Sequence, residues 1–364
     1  MSERLNRLRD VLKEKELDAI VITHLSNRFY LSGFLAEDHP PNESAGHLVI
    51  SHDRAALITS PIEAENAGNQ APDFEIVSFS REMPGLARND AEVLRQIGAR
   101  RIGFEDSAIL YQDYRTIKKN LDEDVKLVPV GNAVDDLRKI KTPDEIEKLA
   151  KVLKTTDEAL ARVEPTIQSG EREKDVGWRI EQAFRELGAE GPSFPTIVAS
   201  GPNAALPHHP TGDRVIQEGE PIIIDMGAYV DGYCGDLTRT VWVGEPEPKL
   251  REIYQIVYDA IEAAEAGIKP GMTGVEADAL ARDVISKAGY GDYFIHSLGH
   301  GLGVRVHEGP SLSPRYDEAL EPGNVVTIEP GIYIPGWGGV RIEDVATITE
   351  NGIDIFTESP KRSV

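Results

Sequence analysis

The chain has 364 residues, 40% of them hydrophobic, and a formal net charge of −23. That length allows two domains with a sizeable core. The charge argues against a nucleic-acid partner, the single cysteine, Cys234, excludes an internal disulfide framework, and no apolar run approaches membrane-spanning length. The charged opening MSERLNRLRDVLKEKE lacks the apolar stretch of a signal peptide. With one cysteine, it fits a reducing, cytoplasmic setting. Residues 4–16 read as an amphipathic helix with Leu5, Leu8, Val11 and Leu12 on one face. A strand follows (DAIVIT, 18–23). After it comes an acidic loop, EDHPPNESAG, in which Asp38 and His39 read as solvated. HLVIS (47–51) and AALIT (55–59) form a hairpin. Helix-like and strand-like segments alternate to about residue 130, which predicts a small α/β domain over residues 1–135.

A second domain is expected over 136–364. Its first long helix starts at a capping signature, with Thr142 as N-cap, Pro143 at the first helical position and Glu145 reaching back. Two helices lead to the strand TIVAS and the turn GPNAALPHHPTG. Residues 221–230 (PIIIDMGAYV) read as a strand. Asp231-Gly232 is the preferred pair for a two-residue hairpin, and YCGDLTRTVWVG returns. This register sets Val230 opposite Tyr233 and Gly227 opposite Asp236. Asp225 and Asp236 then become diagonal neighbours on one face, with Gly227 leaving open space between them. Helices over 250–267 and 273–288 separate this hairpin from another. In the second, 325–334 (VVTIEPGIYI) turns at Pro335–Gly338 and returns to Ile348, with Glu329 opposite Glu343.

Asp225, Asp236, His300, Glu329 and Glu343 thus form a dispersed set of four carboxylates and one imidazole. Such an oxygen-rich set suits a pair of divalent ions better than a lone zinc. Without metal, four converging carboxylates would repel and raise one another's pKa values. Asp225 and Glu329 each end an apolar run, so burial and a partner are expected. His300 lies between Gly299 and Gly301, which permits close backbone approach.

Nearly the whole chain resembles the Xaa-Pro peptidases, prolidase and aminopeptidase P, of the pita-bread metallopeptidase family. The resemblance is carried by RKIKTPDEIEKL, IVASGPNAALPHH, DMGAYVDGYCGDLTRT, HSLGHGLG, VHEGP, IEPGIYI and GVRIED, in the family's order. It implies an α+β architecture: a small α/β creatinase-like N-terminal domain, then a catalytic pita-bread domain with a curved antiparallel sheet. It also implies that the five residues above are metal ligands, with Asp236 and Glu343 bridging two divalent ions. Mn²⁺ is expected, with Co²⁺, Zn²⁺ or Fe²⁺ as alternatives. Glu329 would double as proton acceptor, and His307 and His208 would contact the scissile region.

His296 precedes His300 by four, which on a helix would place both on one face; it is a candidate for the substrate site. Arg341, two before Glu343, would either tune the carboxylates or grip a substrate carboxylate. Phe194 is a candidate apolar wall for proline. His209 reads as a loop neighbour of His208, and Cys234 as a small filler rather than a thiolate ligand. The expected reaction is hydrolysis of the X–Pro amide in dipeptides or short peptides by a homodimeric enzyme. The alternatives are an aminopeptidase on longer peptides, a hydrolase of non-peptide amides, and a non-catalytic binding protein.

Overall fold

The computed structural model describes residues 3–36, 38 and 43–363. They form two compact units, Met1–Leu137 and Arg138–Val364. His39 of the acidic loop lies outside the described residues. Asp38 does not behave as a solvated loop residue: it pairs with the fully buried Arg28 at 2.9 Å and accepts the Ala45 N–H at 2.8 Å. A buried guanidinium requires a counter-charge, and Asp38 supplies it.

The first unit is built on a six-stranded mixed sheet of β1 (Ala19–Ile22), β2 (Gly46–Ser51), β3 (Ala55–Thr59), β4 (Glu75–Ser78), β5 (Arg101–Phe104) and β6 (Lys126–Pro129), in the order β4-β3-β2-β1-β5-β6. The β2–β3 hairpin is as expected, and β5 runs parallel to β1. Strand residues alternate between two cores. Ile20 and Ile22 join Leu5, Leu8 and Leu12 of helix Glu3–Glu14 on one face. Ala19 and Val21 join Val93 and Leu94 of helix Leu86–Ile97 on the other. With both faces covered, β1 reads as one continuous apolar run.

In the second unit every strand pairing is antiparallel. Helix α1 (Pro143–Val163) opens with the capping box foreseen at Thr142 and Glu145. It backs the first hairpin: Thr156 Oγ1 accepts the Ala228 N–H at 3.0 Å, and the Tyr233 hydroxyl donates to Glu145 at 3.2 Å. The hairpin turns at Asp231 and Gly232, with φ of 53° and 81°, the two left-handed residues of a type I′ turn. Val230 pairs with Tyr233 and Asp225 with Thr238, the expected register.

The single long strand expected over 221–230 is instead broken at Gly227 into β7 (Ile222–Met226) and β8 (Ala228–Val230), which lie in different sheets. Gly227 does not leave open space. A Cβ there would meet the Gly235 carbonyl oxygen at 1.9 Å and Ser193 Oγ at 2.3 Å, so the glycine serves close backbone approach. The second hairpin is likewise split. Val325–Ile328 pairs with Asp344–Ile348, and Gly331–Ile334 with Gly338–Arg341; Glu329 and Glu343 occupy the breaks. Helices α2 (Pro248–Gly267) and α3 (Gly274–Lys287) pack over this hairpin, with Tyr254, Val257 and Ile261 in one core with Val326, Ile328 and Val340.

The segment Thr357–Arg362 is strapped behind the second hairpin. Asp157 accepts the Glu358 and Ser359 N–H groups at 2.8 and 2.9 Å. Arg239 donates to the Ser359 carbonyl at 2.6 Å, to Asp344 at 2.7 Å and to the backbone carbonyl of Glu343.

Candidate metal centre

The breaks in the two hairpins face each other. The Glu343 N–H donates to the Thr238 carbonyl at 3.0 Å, and the Thr238 hydroxyl donates to Glu343 Oε2 at 2.7 Å. One ladder residue of the first hairpin thereby fixes one carboxylate of the second. Carboxylate oxygens of Asp225, Asp236 and Glu343 lie within 4.8 Å of one another. His300 Nε2 stands 3.7 Å from Asp236 and 3.2 Å from Glu329. The Thr327 hydroxyl ties these last elements together, accepting the His300 N–H at 3.0 Å and donating to Glu329 at 3.1 Å. The five residues chosen from sequence are therefore brought together.

The donor set fits divalent cations. Asp225 Oδ1 and Glu343 Oε1 are buried without a hydrogen-bond partner, and a buried acceptor needs one. Burial raises the pKa of Asp236, and repulsion from Glu343 and Asp225 adds to it. Burial and the charges of Glu329 and Asp225 likewise raise Glu343. Asp225 is raised by burial despite Arg341. Glu329 departs from the uniform rise expected from mutual repulsion. Burial pulls it upward, but the hydrogen bond and charge of His300 outweigh that and hold it down at about 2. Carboxyls forced upward by burial and one another are what two M²⁺ charges would relieve.

These groups open onto a cavity of about 1130 Å³ whose lining includes Phe194, His208, His296 and His307, with Leu206 and Ile295 exposed at its apolar wall. The His307 ring stands edge-on to that of His300, centroids 4.4 Å apart. His208 is exposed, whereas His209 is tied by Nε2 to Glu173 at 3.1 Å. The segment carrying His296 is not helical, and His300 lies in the strand Gly299–Gly301, so the four-residue spacing does not act as a helical repeat. His296 reaches the cavity nonetheless. Its Nδ1 meets the Ser297 carbonyl at 2.7 Å and its Nε2 the Tyr333 hydroxyl at 2.8 Å. Arg341 is buried, and its guanidinium donates to Asp225 at 2.6 Å, Tyr333 at 2.8 Å and Thr238 at 3.1 Å. Cys234 is buried with its thiol pKa pushed up by desolvation, and it is not in the carboxylate group.

Sequence reasoning missed Thr238, Thr327, Tyr333 and Glu173. Thr238 was within reach: the hairpin register sets it directly opposite Asp225. Glu173 carried no local signal. It is fully buried and anchors the loop before His208 by accepting from Ser200 N–H at 2.7 Å and Asn203 at 3.0 Å.

Paired antiparallel hairpins that gather buried carboxylates at the floor of a large cavity form the frame of a metal-dependent hydrolase. Residues 147–350 match the profile described as metallopeptidase family M24, and residues 4–140 that of the creatinase/prolidase N-terminal domain. The chain belongs to metallopeptidase family M24, and its second unit has the pita-bread fold. It is 39% identical to the Xaa-Pro dipeptidase of Pyrococcus furiosus, over 99% of each chain. The solved structure of a Xaa-Pro dipeptidase from Bacillus anthracis superposes with a TM-score of 0.93 at 42% identity, covering 99% of this chain and 98% of that one. An X-Pro aminopeptidase from Thermotoga maritima superposes at 0.89 with 33% identity, covering 99% of both.

Proposed function

We propose that the protein is a Xaa-Pro dipeptidase that hydrolyses the amide bond before proline with two divalent metal ions. The observation that carries this reading is the set of buried carboxylates with unpartnered oxygens at the floor of the cavity, joined to the names of its full-length relatives. Asp225, Asp236, His300, Glu329 and Glu343 would hold the metals. Mn²⁺ is the expected ion, with Co²⁺, Zn²⁺ and Fe²⁺ as alternatives. When bound, the ions supply an activated water and polarise the scissile carbonyl. Glu329 accepts the proton from the attacking water and passes it to the proline nitrogen. His307 and His208 flank the same floor and donate to the oxygen that gains charge. Phe194 walls the apolar pocket for proline, beside His296.

Arg341 acts here as a positioning residue. Its three hydrogen bonds commit it to Asp225, Tyr333 and Thr238, which supports orientation of Asp225 over capture of a substrate carboxylate. The proposal places the enzyme in the cytoplasm as a homodimer. Among the described residues no helix is long and apolar enough to cross a membrane, and sedimentation velocity decides between monomer and dimer.

The similarity to an X-Pro aminopeptidase keeps a second reading in view, removal of Xaa from longer peptides. A hydrolysis panel with added Mn²⁺ or Co²⁺ separates the two. Cleavage of Ala-Pro and Gly-Pro with loss of activity in EDTA is expected. Faster cleavage of Ala-Pro-Ala than of Ala-Pro would shift the assignment to aminopeptidase. Cleavage of neither would overturn both.

A further inference from the structure

A second cavity, of about 450 Å³, adjoins the first and shares Ile295, His296 and Ser297 with it. These three residues form a ridge between the two spaces. The ridge is held from beneath. Arg282 donates to the carbonyls of Phe294 and His296 at 2.9 and 2.7 Å, and its charge is matched by Asp278 through two contacts of 2.5 and 2.8 Å. Asp278 in turn accepts the Leu298 N–H at 2.9 Å.

Beyond the ridge the second cavity is lined by Ser313, Pro314 and Arg315 as well as Arg282, and by no carboxylate. That is unusual in a chain with 62 acidic and 39 basic residues. Arg315 is exposed and forms no ion pair among the described residues. The nearby Glu318 is already taken by Lys139 at 2.8 Å and by the Tyr316 hydroxyl at 2.6 Å. A guanidinium without an ion-pair partner, in a cavity also lined by Ser297 and Ser313, has the chemistry to take a small carboxylate.

We propose that this second cavity is a subsite for the C-terminal carboxylate of a peptide that continues past proline, with Arg315 as its cation. The inference rests on the Xaa-Pro hydrolase reading of the first cavity. A dipeptide ends within that first cavity. A tripeptide Xaa-Pro-Yaa crosses the ridge at Ile295, which is 64% exposed, and delivers its carboxylate to Arg315. The subsite therefore sets how short peptides beyond dipeptides are ranked, and it selects a free carboxylate over an amide.

The test compares Arg315→Gln and Arg315→Lys with the unaltered Mn²⁺-loaded enzyme on Ala-Pro, Ala-Pro-Ala and Ala-Pro-Ala-NH₂. Arg315→Gln should raise KM for Ala-Pro-Ala about tenfold, the size of one lost charge-assisted contact, with kcat unchanged. Ala-Pro and the amide should be unaffected, and Arg315→Lys should recover part of the loss. Equal KM changes for the acid and the amide, or none for either, overturn the subsite. So does cleavage of Ala-Pro with none of Ala-Pro-Ala, which leaves the dipeptidase reading intact. If no peptide is cleaved, the hydrolase reading fails instead. Calorimetric binding of Ala-Pro-Ala to the EDTA-treated protein then judges the subsite alone, which stands only if Arg315→Gln weakens that binding.

Discussion

At Glu343 one carboxylate oxygen accepts the Thr238 hydroxyl and the other is buried without a partner. At His307 the ring touches that of His300 but stays at the cavity wall. The two positions should therefore fail differently. Glu343→Ala should lower metal content and cut activity by several orders of magnitude. His307→Ala should keep the metal and lower kcat roughly 10²-fold. Arg341→Met should weaken metal retention and slow Ala-Pro and Ala-Pro-Ala alike, because Arg341 braces Asp225. Metal analysis with steady-state kinetics on the three variants checks the set. A normal metal content in Glu343→Ala, metal loss in His307→Ala, or a KM defect confined to Ala-Pro in Arg341→Met would each reverse the corresponding role. The carboxylates and His300 were legible because each sits at a recognisable strand or turn signal. Tyr333 and Glu173 were not, since their partners are remote in sequence: Glu173 meets His209 and Tyr333 meets His296.

Among the elements, the hairpins were read with the right register and the wrong continuity. Pairing sums are preserved through both hairpins, so Asp225 meets Thr238 and Ile328 meets Asp344 as alternation dictates. The breaks at Gly227 and at Glu329 were invisible because periodicity reports which face a residue occupies, not where a strand changes sheets. Gly227→Ala offers a direct test of the first break. Its Cβ would collide with the Gly235 carbonyl oxygen and Ser193 Oγ, and relieving such overpacking costs about 1–3 kcal/mol. Urea denaturation should show that loss, with weaker metal retention because Asp225 and Asp236 flank the break. Unchanged stability would mean that the hairpin tolerates separation there. The capping box at Thr142 was fully legible, because its signal lies within four residues.

For the molecule as a whole, the strap at the back of the second hairpin links stability to pH. Lys361 bridges Asp344 at 2.9 Å and Glu265 at 2.8 Å. Burial and the hydrogen bond to Asp344 raise Glu265 from 4.5 to about 7, against the pull of Lys361. The native chain thus holds a proton that the unfolded chain has already released, so Glu265 lowers stability progressively as pH rises from about 4.5 to about 7. Burial notwithstanding, Arg239 and Lys361 depress Asp344, whose contribution is lost at lower pH, as the solution falls through its own folded pKa. Glu265→Gln should flatten the decline between pH 4.5 and about 7 in urea midpoints, and an unchanged slope would exclude Glu265 as its source.

The same strap has a bearing on the order in which the parts of the site come together during synthesis. Ribosomal synthesis delivers Asp225, Asp236, His300, Glu329 and Glu343 before it delivers Ser359, whose carbonyl steadies the arginine that grips Glu343 from behind. All five of these side chains can thus have left the ribosome while the brace behind Glu343 is still inside it. The contact behind Glu343 therefore forms only after the five side chains it backs have emerged.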